Sequence, residues 1–194
     1  MSISIKFNNN LFSLDKLKLP TRYYFFNCQQ KYIKLLSVGD GIFPGDKINT
    51  SISLNNSDLL ATTESAIKVH PTNDQFAKNR IDISLSDSNL EFINDEMILY
   101  KNSKFLQLLK IKANDKSTFF YVDILSQGRS FENFDFTKMN IKNSFYINGE
   151  IEYLEKYQKN GLNLQQYMIR NNCHNTNLAK VYIKIDNNVD FLEI

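Results

Sequence analysis

The chain has 194 residues, of which 42% are hydrophobic and 23% charged, proportions that exclude a disordered chain. Only 6 Gly and 3 Pro are present, which excludes collagen-like and low-complexity classes. Lys and Arg number 23 against 21 Asp and Glu, a net charge of +2, so there is no electrostatic footprint for nucleic acid, and no apolar run approaches the roughly 18–20 residues of a membrane span.

Alternating β-branched and aromatic residues predict strands over Ser2–Phe7, Thr21–Asn27, Tyr32–Val38, Ile48–Leu54, Leu59–Thr63 and Arg80–Leu85. The series continues through Leu90–Ile93, Met97–Tyr100, Phe105–Lys112 and Thr118–Leu125. Ile141–Ile147 and Glu150–Glu155 flank Asn148-Gly149, a strong two-residue hairpin signal, and Val181–Asp186 and Val189–Glu193 flank a second Asn-containing turn. Glu64–Lys78 is ambiguous, because its first half could continue a strand and His70-Pro71-Thr72-Asn73-Asp74 breaks it. One short helix is expected over Leu162–Arg170, with Leu162, Leu164, Tyr167 and Met168 on its apolar face. Gly45, just before Asp46, marks a turn position that needs positive φ.

An internal echo bears on architecture. Ile52-Ser-Leu-Asn-Asn-Ser-Asp-Leu59 repeats as Ile83-Ser-Leu-Ser-Asp-Ser-Asn-Leu90, and Leu109–Phe119 is a looser third copy. Each copy is a strand, a polar turn and a strand, a pattern that stacked units use to bury a shared core. The expectation is an all-β, layered superhelix of stacked hairpin units with a small C-terminal helical element. Residues 1–194 are read as one domain, and a β-sandwich with similar hairpins is the alternative.

Catalytic and metal motifs are sparse. Two Cys, Cys28 and Cys173, cannot build a disulfide framework, and Cys28 is read as a core residue. The start, MSISIKFNNN, has no basic region followed by an apolar one, so the expectation is no signal peptide and a reducing, cytoplasmic setting. Cys173-His174 lacks the further ligands a metal site needs. Nucleophile motifs are missing, and Val38–Asp46, although rich in Gly, matches no phosphate loop. Asp123 lies within an apolar strand, with Arg129 and Glu132 close behind it. Two readings stay open for it: an ion pair with Arg129, or, with Glu132 and other inward carboxylates, the lining of a polar passage.

Four blocks in order carry a family resemblance. Leu36-Ser-Val-Gly-Asp-Gly-Ile-Phe-Pro-Gly-Asp-Lys-Ile-Asn49, Leu60–Val69, Asn89–Tyr100 and Asp123-Ile-Leu-Ser-Gln-Gly-Arg-Ser-Phe-Glu132 resemble the corresponding segments of the urease accessory protein UreD (UreH) family. Together they span about Thr21 to Tyr157. The chain departs from the family pattern at Asp40, Pro44, Glu64, Ile67, Asn94, Asp95 and Phe131, and Leu162 onward matches poorly.

The resemblance implies an all-β superhelix that is not an enzyme. It would bind UreF and the nickel-carrying GTPase UreG, dock on apo-urease and pass nickel through a water-filled passage, with nickel in transit and no tightly bound cofactor. Asp46, Glu96, Asp123 and Glu132 match acidic family positions and are the expected passage lining. Thr62 and Thr63 would add hydroxyls, and Lys68 and Arg129 match basic positions. Few oxygen ligands hold a divalent ion weakly enough to release it, whereas a Cys/His cage would trap it. The alternatives are a β-sheet interaction module without a metal and a β-helical carbohydrate-active enzyme. The second would use paired carboxylates about 5–10 Å apart and aromatic platforms with Trp, and the chain has no Trp.

Overall fold

In a computed structural model, residues 1–37, 39–128, 132–171, 173, 177–185 and 188–193 are described. Strands β1 (Ser2–Asn8), β2 (Leu11–Lys18), β3 (Thr21–Asn27), β4 (Lys31–Ser37), β5 (Lys47–Asn55), β6 (Asp58–Glu64), β7 (Ile67–Val69), β8 (Ala77–Ser86) and β9 (Asn89–Leu99) come first. They are followed by β10 (Lys104–Ala113), β11 (Thr118–Ser126), β12 (Lys138–Ile147), β13 (Glu150–Lys159), helix α1 (Gly161–Arg170), β14 (Asn177–Ile185) and β15 (Asn188–Glu193). One sheet runs β13-β12-β10-β8-β5-β1-β2 and the other β15-β14-β11-β9-β6-β4-β3, with β7 paired to β9. The interior strands are parallel, and antiparallel strands close the ends.

The layered all-β superhelix expected from the echo is the fold the chain forms. Its unit is an arch: the two arms of each copy lie in opposite sheets, and pairing runs between copies. The echo is therefore a register. Ile52 pairs with Ile83 and Leu54 with Leu85 in one sheet, while Leu59 pairs with Leu90 in the other. The row extends as Ile5–Ile52–Ile83–Ile111–Phe145, and the facing sheet carries Ile33–Ala61–Phe92–Tyr121–Tyr182. All ten residues are buried. Each large side chain contributes about 1.5–3 kcal/mol of burial free energy, and identical or similar shapes stack at the inter-strand spacing.

The turns stack as well. Asn9, Asn56 and Asp87 occupy equivalent positions at φ of +50°, +46° and +49°, a conformation that Asn and Asp tolerate better than other non-Gly residues. Behind them runs a row of buried serines. The Asn10 N–H donates to Ser57 Oγ (2.9 Å), the Ser57 N–H to Ser88 Oγ (3.1 Å) and the Ser88 N–H to Ser117 Oγ (3.2 Å). Turn amides cannot join a strand ladder, so the hydroxyls satisfy donors that would otherwise be orphaned.

Several sequence expectations are refined. β2 was not predicted: its mixed Leu/Lys/Asp pattern reflects an edge strand, and Asp15, Lys16 and Lys18 guard that edge. The two segments predicted at Leu90–Ile93 and Met97–Tyr100 form one strand, β9, with an irregularity opposite Asp123 that keeps both halves facing inward. The ambiguous stretch resolves into β6, a turn with Ser65 at φ +68°, and the short β7. In α1 only Leu164 and Met168 of the expected face are buried, while Leu162 and Tyr167 are exposed. Asn160 caps this helix by accepting from the Asn163 N–H at 2.8 Å. Cys28 is exposed in the β3–β4 turn and not in the core. Gly45 has φ +85°, as its turn position requires.

Ser88→Ala strips the acceptor from the buried Ser57 amide. We expect a loss of about 1–3 kcal/mol in urea denaturation, against no measurable change for the exposed Ser13→Ala.

Candidate functional site

The inward face of most strands is apolar, with one interruption. On β8 it reads Ala77, Asn79, Ile81; on β10, Phe105, Gln107, Leu109; on β12, Ile141, Asn143, Phe145. On β9 Asn94 lies between Phe92 and Met97, on β11 Asp123 between Tyr121 and Leu125, and on β14 Lys180 between Leu178 and Tyr182. Because pairing is in register, these interruptions fall at one height or one inward position away. They form a polar layer between two hydrophobic clusters, one toward the arch turns and one against α1.

Asp123 is its centre. The Gln107 Nε2–H donates to Oδ2 (2.6 Å), while the Tyr121 O–H (2.8 Å) and the Asn94 Nδ2–H (3.1 Å) donate to Oδ1. Asn79 in turn donates to Gln107 Oε1 (3.4 Å). Burial disfavours the charged form and lifts the Asp123 carboxyl to about 6, against the pull of its three donors, and the charge of Glu155 adds to the rise. Burial likewise pushes the phenols of Tyr121 and Tyr182 well above their ordinary range, so both are neutral donors.

A second group continues the layer. Glu155 Oε2 accepts from the Tyr182 O–H (2.6 Å) and the Asn143 Nδ2–H (3.2 Å), and Oε1 meets the Lys180 ammonium. Lys180 is also the ladder partner of Asp123, which joins the two groups. Asn143 Oδ1 is buried and has no donor. On the opposite side, a cavity of about 60 Å³ reaches Thr50, Thr63, Asn79 and Asn94 from a mouth at Gly39, Gly41 and Glu64. That is several times the roughly 10–15 Å³ one water needs, and these four side chains put polar groups into a lining that is otherwise mostly apolar.

The residues singled out from sequence divide. Asp123 sits in the layer, and Thr63 lines the cavity, its hydroxyl accepting from the Asp95 N–H (2.6 Å). The others that are described are not gathered with them. Asp46 closes its own turn by accepting from the Phe43 N–H (3.0 Å). Glu96 is exposed on β9. Glu132 accepts from the Lys101 N–H (3.0 Å). Thr62 bonds the Tyr32 hydroxyl at 2.8 Å, away from the layer. Lys68 lies on β7, where its carbonyl accepts from the Ile42 N–H (2.7 Å). Arg129, the expected partner of Asp123, lies outside the described residues, as does His174; the partners described for Asp123 are neutral. Among the described residues no three His, Cys, Asp or Glu side chains form a metal-holding group.

Sequence reasoning missed Asn79, Asn94, Gln107, Asn143, Glu155 and Lys180. Their signal is a polar residue at an inward position of an alternating strand, and it becomes a site only when the register aligns six of them.

Two facing sheets of in-register arches, crossed by one acidic polar layer, define a β-solenoid whose distinctive chemistry lies in its interior. The chain belongs to the UreD family: the sequence model described as "UreD urease accessory protein" matches residues 20–179. It is 54% identical over 193 residues to the urease accessory protein UreD of Aliarcobacter butzleri, covering 99% of this chain and 77% of that protein. It is 30% identical over 146 residues to the UreD of Staphylococcus epidermidis, covering 73% of this chain and 52% of that protein. The UreD of a Staphylococcus aureus strain is also 30% identical, over 142 residues, so the chain spans about half the length of the staphylococcal relatives. No helix among the described residues is long and apolar enough to cross a membrane.

The raised carboxyl of Asp123 sets a pH signature. A carboxyl at about 6 when folded and about 4 when unfolded binds its proton more readily in the native state. Stability is therefore higher below pH 4 and falls as pH rises toward 6, by up to about 3 kcal/mol for this group. Asp123→Asn should remove that component, so the variant gains on the wild type between pH 4 and pH 7 in urea denaturation. A stability difference between the two proteins that does not change with pH contradicts the assignment.

Proposed function

We propose that this chain is a non-catalytic urease accessory protein of the cytoplasm. It docks with UreF and UreG on apo-urease and passes nickel along its polar layer into the nascent active site. Membership of the UreD family supports the accessory role. The observation that carries the passage is Asp123, a carboxylate held between the sheets whose donors among the described residues are all neutral, with Glu155 beyond it and a cavity that reaches its partner Asn94.

The layer suits a moving ion. Its exposed lone pairs are oxygens of carboxylates, amides and hydroxyls, hard donors that bind a borderline metal such as nickel without trapping it. The neutral amides of Asn94 and Gln107 can turn to present oxygen or N–H, and the Tyr121 phenol its oxygen or O–H, as the ion arrives and leaves. The negative charge makes entry of a dication favourable where an apolar core would reject it. The cavity at Thr50, Thr63, Asn79 and Asn94 is the entrance or exit on one side, and Glu155 is the station toward the other.

Asp123→Asn tests this reading, since it keeps shape and hydrogen-bonding capacity and removes the charge. Soluble complex with UreF and the nickel content of urease are measured side by side in a reconstituted system. The expected outcome is an intact complex and a nickel content at least several-fold lower. Normal nickel loading with an intact complex contradicts the passage and favours an interaction module without a metal role.

A further inference from the structure

The geometry points to Lys180 as a tethered cation that occupies the Glu155 station and yields it to a passing divalent ion. This inference rests on the passage proposed above and assigns a residue that controls how long an ion stays in it.

Three observations support it. The Lys180 ammonium contacts Glu155 Oε1, while the described partners of Oε2 are Tyr182 and Asn143. A cation thus already sits on the oxygen that a metal would take. The same ammonium lies 4.4 Å from the centroid of the Tyr157 ring. The ammonium is thus shared between the carboxylate and the ring face, which can keep the positive charge when a small rotation of the four-carbon stem takes it off Glu155. Finally, Asn143 Oδ1 is enclosed without a donor although its amide nitrogen bonds both Glu155 and Tyr182. Buried acceptors of this kind are rare unless something fills them, and a turn of the amide, whose nitrogen now faces Glu155, would bring this oxygen to a cation held there.

Without the lysine, Glu155, the Tyr182 hydroxyl and, once its amide turns, Asn143 Oδ1 would form an anionic oxygen pocket that retains a dication. With it, a cation already occupies the Glu155 carboxylate at rest. An incoming ion must displace the ammonium toward Tyr157, and the ammonium returns as the ion moves on. The exchange is one of contacts alone, with no bond made or broken in the protein and no proton released.

The test measures nickel binding by the purified full chain in equilibrium dialysis with radioactive nickel. Lys180→Met, which keeps the stem and removes the charge, is expected to bind nickel at least tenfold more tightly than the wild type. Lys180→Arg, which keeps the charge, should stay within about twofold of the wild type. The double variant Lys180→Met with Glu155→Gln should lose the gain. Unchanged affinity in Lys180→Met, a gain shared by Lys180→Arg, or a gain that survives Glu155→Gln overturns the inference. Urease nickel content with Glu155→Gln alone separates this from the passage itself. If that content falls while Lys180→Met binds nickel like the wild type, only the tethered cation fails. If it is unchanged, the passage through Glu155 fails and the inference falls with it.

Discussion

Register is the constraint on which the rest of this structure depends. Ladder pairing, parallel between the arches and antiparallel at the ends, makes each strand present the same height to its neighbours, so whatever one strand places inside is extended by the next. For apolar residues this builds rows such as Ile5, Ile52, Ile83, Ile111 and Phe145. For polar residues it builds a layer, because Asn79 meets Gln107 and Asp123 meets Lys180 on their rungs. A slip of one residue would turn every inward side chain outward. The stacked serines and left-handed Asn and Asp residues of the turns hold the arches against such a slip.

The layer has an energetic cost that the fold accommodates. A carboxylate removed from water is unfavourable by several kcal/mol unless charges or hydrogen bonds replace its hydration. Asp123 receives three donors from β9, β10 and its own strand β11, and its carboxyl is still raised to about 6. Hydrophobic clusters on both sides supply stability, so the layer itself need not be a stabilising feature. An apolar core at the same height would be simpler and more stable, and this is the physical reason to seek a function in it.

Much of the fold was legible in the sequence. The repeat of Ile52–Leu59 at Ile83–Leu90 encodes the arch and its register, and Asn148-Gly149 encodes the β12–β13 hairpin, with φ of +51° and +88°. β2 was hidden because an edge strand open to solvent loses strict alternation. The site was legible only at Asp123 and Thr63. Matching acidic residues to family blocks also selected Asp46, Glu96 and Glu132, whose side chains close a turn, face solvent and bond a loop amide. Local sequence does not distinguish an acid that points inward from one that does not. Glu155 was hidden in the charged β13, where Glu150, Glu152 and Glu155 look equally exposed until Tyr182 and Asn143 are brought against one of them from other strands.

The central claim is that the polar layer is a route for nickel. It is tested most directly by closing the route while leaving its carboxylates in place. Thr50→Val with Asn79→Leu replaces two buried cavity-lining groups by apolar ones of similar volume and removes polar groups from the cavity that reaches Asn94, the partner of Asp123. Nickel content of urease matured in the presence of this variant, normalised to the amount of assembled accessory complex, should fall several-fold. Full nickel content with the cavity wall made apolar would contradict the account.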